Sequence, residues 1–145
     1  MLTVSWLFES GFLFKTLFAV FSFIIALQDV KTGMVPRIAF FFAFPFFCAL
    51  RLLQARPQSP VSIFGGALLG FLIFVSAYLI SRKKLGLADV WYSALVGLAL
   101  GPWRWYAAMS CACLTGIICM FVLKRRQIPF IPLMAVGGII MIMII

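Results

Sequence analysis

Histidine is absent from this chain, and acidic residues number only three. Without imidazole there is no His-based catalytic triad and no use of the commonest metal ligand. No cluster of metal-ligating side chains replaces it, so neither a metal nor a cofactor is expected. Charge of any kind is scarce: 10% of the 145 residues are charged and 66% are apolar. Soluble domains run about 25% charged and about 45–50% apolar, so a water-facing surface cannot be assembled from this composition. Cys48, Cys111, Cys113 and Cys119 all fall inside apolar stretches. None forms a CxxC pair suited to zinc or thiol exchange, and they read as small apolar packing residues.

What is present is a series of long apolar runs. A run of about 20 such residues crosses the hydrocarbon core of a bilayer, so lipid is the expected solvent for most of the chain. Candidate spans cover residues 10–28, 38–53, 61–80, 89–101, 104–123 and 128–145. Backbone polar groups at membrane depth need internal partners, so the spans must be helices. The expected fold class is therefore all-α, a polytopic membrane protein with about six transmembrane helices. Residues 1–10 carry Glu9 and no Lys or Arg, the reverse of a basic signal region, and the first run reads as a retained span. Gly66 and Gly70 give a GxxxG spacing, which reads as close helix packing. The fourth run is short: about 13 residues reach only about 20 Å of a core about 30 Å thick. Either it begins below the membrane surface or it continues past Pro102.

The net charge of +9 has a membrane reading. The bases sit at the ends of the runs, with no basic face interleaved with aromatics, which argues against nucleic acid. The anionic cytoplasmic leaflet is the expected partner. The connections after runs one, three and five hold Lys31, Arg37, Arg82, Lys83, Lys84, Lys124, Arg125 and Arg126; the other side holds Arg51, Arg56 and Arg104. Lys15 lies within the first run and can snorkel. Eight against three places loops one, three and five in the cytoplasm, with the N- and C-termini outside.

Two of the three acids stand where acids are costly. Asp29 ends the first run and Asp89 opens the fourth, so both are expected at the cytoplasmic side. A charged group within a span costs about 2.5–3.5 kcal/mol on insertion scales and usually marks a functional site. The plain alternative is pairing, Asp29 with Lys31 and Asp89 with Arg82–Lys84. Two carboxylates brought together offer a specific chemistry, because they cannot both ionise cheaply and so share a proton. One takes a proton from an attacking water while the other polarises a peptide carbonyl and protonates the leaving amine. Gly86 is expected to let the backbone turn tightly ahead of Asp89, and the helix N-terminus beyond it favours an anion.

Three stretches carry a family resemblance: Asp29-Val30-Lys31-Thr32-Gly33-Met34-Val35-Pro36, Lys84-Leu85-Gly86-Leu87-Ala88-Asp89-Val90, and Ile128-Pro129-Phe130-Ile131-Pro132. The sequence resembles the type IV prepilin peptidases, leader peptidases of the GxGD group of intramembrane aspartyl proteases. The first stretch is similar to that family's first aspartate with a proline seven residues on, here Pro36. The second is similar to its GxGD segment, with Gly86, Leu87 and Ala88 as the active-site loop. The third, with Pro129, Phe130 and Pro132, is similar to the segment that opens its last helix. Two positions depart from the family pattern. Ala88 replaces the glycine before the second aspartate, adding a methyl group and disfavouring positive φ, and Arg37 stands where an asparagine often follows the proline.

The resemblance implies that residues 1–145 form a single membrane-embedded peptidase domain with Asp29 and Asp89 catalytic. It implies a multi-pass protein of the inner (cytoplasmic) membrane that cleaves the short basic leader of a pilin or pseudopilin precursor, in a type IV pilus or protein-secretion setting. Cleavage falls typically after a glycine, just before the substrate's hydrophobic helix. The chain has no room for the methyltransferase half of the larger members, so peptidase activity alone is expected. Two other readings stay open. One is a non-catalytic assembly protein of a pilus or secretion system with the same fold, for which Ala88 and Arg37 speak. The other is a small proton or ion transporter using the acids, which wants them nearer the midplane.

Overall fold

A computed structural model describes residues 11–54, 59–82, 84–124 and 128–144. Among these the chain forms six helices: α1 (Phe12–Thr32), α2 (Arg37–Leu52), α3 (Pro60–Ile80), α4 (Leu87–Leu100), α5 (Pro102–Leu123) and α6 (Ile131–Ile144). Each expected span therefore has its helix. Glycine and proline set the boundaries. Gly33 adopts the left-handed conformation at φ 62° and closes α1, as helix C-termini prefer. Pro36 holds extended backbone ahead of α2. Ser59 Oγ accepts the Ser62 N–H at the start of α3, an N-cap followed by proline at the first helical position.

Helices α1, α3 and α5 are 21, 21 and 22 residues long and apolar enough to cross a membrane. The other three are shorter, with 16 residues in α2 and 14 each in α4 and α6. The question left by the fourth run is settled: α4 does not continue past Pro102. It ends at Leu100, and Gly101, at φ 79° and ψ 171°, is the sole residue between it and α5.

Short α4 is the centre of the bundle. From Asp89 to Leu100 every residue except Trp91 is buried, as expected of a helix that is apolar all round. It packs most extensively against α3 and also touches α2, α5 and α6. The α3–α4 contact is backbone on backbone. A Cβ added at Gly66 would land on the Gly97 carbonyl oxygen, and one added at Gly97 on that of Gly66. One turn further along α3, the Ser93 hydroxyl donates to the Gly70 carbonyl at 3.3 Å. The Trp105 indole N–H donates to the Ser93 carbonyl and hydroxyl oxygens, both at 3.1 Å. The GxxxG pair is thus a packing device, and close approach of this kind drives helix association where lipid removes the hydrophobic incentive.

Two expectations need correction. Arg51, counted among the loop bases, lies in the last turn of α2 and is only 6% exposed. Its Nη1 donates to Gln54 Oε1 at 2.8 Å, and its guanidinium lies 5.1 Å from the Phe14 ring centroid, so a cation–π contact and a local amide hold it. Of the cysteines only Cys48 packs against the core as expected; Cys111 and Cys113 are exposed and Cys119 is half-buried. Lipid accepts a thiol as readily as the interior does, so an apolar sequence neighbourhood does not imply burial. Glu9, Arg56, Lys83, Arg125 and Arg126 lie outside the described residues.

Candidate active site

Asp29 stands in the last turn of α1, half-buried, with its carbonyl accepting the Gly33 N–H at 2.8 Å. The helix runs one turn beyond the apolar stretch, so the carboxylate projects from its polar end. Asp89 is the third residue of α4 and is 9% exposed. Its carboxylate accepts the Gly86 N–H at 3.1 Å, and its own N–H donates to the Gly86 carbonyl at 3.1 Å. Asp89 therefore caps its own helix by reaching back to the N-cap, the acidic half of a capping box. That contact fixes the carboxylate at the mouth of the most buried helix.

The Gly-Leu-Ala-Asp segment works differently from its sequence-based reading. Gly86 has φ −69° and ψ 138°, extended backbone open to any residue, so no tight turn demands a glycine. What it supplies is room: a Cβ there would sit 3.1 Å from Asp89 Oδ2. Ala88 is helical, not in positive φ. Its methyl therefore meets no backbone penalty, and the expected strain at this departure from the family pattern is absent.

Both aspartates line one cavity of about 850 Å³. The end of α1 contributes Asp29, Val30 and Gly33, and the approach to α4 contributes Lys84, Leu85, Gly86 and Asp89. Ile128, Pro129, Phe130 and Leu133 close it from the start of α6. The three stretches singled out in the sequence thus meet at one place. The two carboxylates are near enough for the charge of Asp29 to act on Asp89, and neither is ion-paired with a described base. The pairing alternative finds no support among the described residues.

Four expected site residues do not line the cavity. Leu87 and Ala88 turn away into the packing of α4, Pro36 is the exposed N-cap of α2, and Pro132 lies in the first turn of α6. Their contribution is to chain direction. The sequence reading missed a fourth wall, Cys113, Gly116, Ile117 and Met120 of α5. Their spacing at i, i+3, i+4 and i+7 marks one helical face, but every face of α5 is apolar, so the signal had no contrast.

A model of the type IV leader peptidase family matches residues 16–122, most of the chain. The chain belongs to that family. Both cavity aspartates of this leader peptidase family member fall inside the matched residues, whereas Pro129, Phe130 and Pro132 lie beyond them. No curated protein and no solved structure matches the chain. The family describes a peptidase, and a cavity holding two carboxyl groups and no histidine is a place where such chemistry can be run by acid–base catalysis.

Proposed function

We propose that the protein is an aspartyl endopeptidase that removes the basic leader from type IV prepilin-like precursors. In this reading six helices cross the inner membrane, the termini lie outside, and the aspartate end of the bundle faces the cytoplasm, where most of the bases gather. The whole chain acts as one peptidase domain. One observation carries the proposal: Asp29 and Asp89, distant in sequence, open onto the same cavity.

The chemistry follows from two carboxyl groups that share one proton. The ionised member removes a proton from a water molecule as its oxygen attacks the scissile carbonyl carbon. The protonated member gives its proton to the carbonyl oxygen, so the tetrahedral intermediate is neutral at that atom. On collapse a hydroxyl of the intermediate returns its proton to the second carboxylate as the carbonyl re-forms and the C–N bond breaks. The first carboxyl gives the proton taken from water to the leaving amine, so the pair regains its starting state. Gly86 serves by holding Asp89 through its N–H while leaving space beside the carboxylate.

The non-catalytic alternative rested on Ala88 and Arg37. Ala88 is unstrained in α4 and Arg37 lies outside the aspartate cavity, which supports the catalytic reading over that alternative. Asp29→Asn and Asp89→Asn are each expected to lower cleavage of a co-expressed prepilin by about 10²–10⁴-fold, with insertion and yield unchanged. Mass spectrometry of the pilin N-terminus reads the outcome. Full processing by either variant would remove the catalytic assignment.

A further inference from the structure

The cavity is far larger than a water molecule and a peptide carbonyl require, and α5 supplies one of its walls. Helix α6 packs extensively on both α1 and α5, which make little or no contact with one another. At the start of α6 the space between α1 and α5 becomes the cavity, floored by Phe130 and Leu133. The α5 wall is apolar and uncovered: Ile117 is 53% exposed and Met120 44%, and Cys113 is exposed as well. Gly116, between them, is buried, and a Cβ there would press on Leu133 at 3.2 Å. The missing side chain lets Leu133 pack close to α5 at the edge of the cavity that holds the aspartates.

We propose that this face of α5 is the docking surface for the apolar membrane helix of the substrate, which enters from the lipid between α1 and α5. The inference rests on the peptidase reading and deepens it by naming the surface that selects the substrate. Continuity identifies the occupant, since this face of α5 and the two carboxylates line one cavity. Charge agrees, because the nearby ends of the bundle carry Lys31, Lys84 and Lys124 and cannot attract a basic leader at long range. Affinity then has to come from the apolar part of the precursor.

The chain contains its own controls. Cys111 and Cys113 are both exposed, yet only Cys113 lines the cavity; Ile117 and Ile118 are both exposed, yet only Ile117 does. The probe is a precursor with a short basic leader, a glycine and an apolar helix of about 20 residues, carrying one cysteine at successive helix positions. Full-length protein retaining Cys113 alone, or Cys111 alone, with Asp89→Asn to trap the substrate, is oxidised in membranes. Adducts are expected with Cys113 at one register of the substrate helix, at least tenfold above those with Cys111. In the active enzyme, Ile117→Trp is expected to lower kcat/KM at least tenfold, mainly through KM, while Ile118→Trp leaves it unchanged. Equal adducts at both cysteines, or equal kinetics for both tryptophan variants, with the wild type cleaving normally, would overturn the docking surface and leave the peptidase standing. Failure of the wild type to cleave this precursor would overturn both.

Discussion

The middle of α4 and its first turn differ in almost every physical respect. In the middle, Gly97 meets Gly66 backbone to backbone and Ser93 is tied to Gly70 and Trp105. No space remains for a methyl group. At the first turn, Asp89 borders an open cavity and is held by the single N–H of Gly86. A sealed shaft carrying an open tip is how a reactive group is positioned without being smothered. In the proposed peptidase, the rigidity lies away from the reacting groups and the free volume where a peptide bond would fit.

The contrast can be broken from the sealed side first. Gly97→Leu places a branched side chain against the α3 backbone, which cannot move aside. Overpacking of this kind costs about 1–3 kcal/mol in ordinary cores, and about 3 kcal/mol is expected here, read as a large fall in Tm in detergent and poor yield. A variant as stable as the wild type would show that α3 and α4 are not in backbone contact. At the open tip the same class of change should spare stability and harm activity. Gly86→Ala adds a Cβ beside Asp89 Oδ2. Displacing that carboxylate should reduce kcat by up to about 10²-fold with Tm nearly unchanged. Normal kcat would mean that the carboxylate has room the structure denies it. The smallest effect is expected at Ala88→Gly, which restores the family residue. It loses helix propensity worth about 0.5–1 kcal/mol and should leave kcat within a factor of about three. A large gain in kcat would instead mean that the alanine methyl hinders the site after all.

The same contrast explains which features the sequence revealed. Helix positions were legible because lipid imposes long apolar runs, and glycine and proline mark their ends. The helix α1 runs four residues past the expected span, since Asp29–Thr32 is polar in hydropathy although it completes the helix up to Gly33. The aspartates stood out because carboxylates are rare in such a chain. The α5 wall did not, because hydropathy cannot separate a face that meets lipid from one that meets a cavity. Arg51 was hidden for the opposite reason: an arginine at the end of an apolar run reads as a loop base, and its contact with Phe14 is visible only in three dimensions. The role of Gly86 was also out of reach, because its φ is ordinary and the constraint comes from a side chain three residues away.

The single-residue joint at Gly101 bears on how the protein is made. A segment of 14 residues with a carboxylate in its first turn is a poor candidate to partition into lipid by itself. Pro102 begins the next helix at once, so no polar linker lets the two wait for each other during synthesis. Insertion of α4 and α5 as one hairpin would let the longer partner carry Asp89 into the bilayer, so the two helices are expected to enter the membrane as a unit.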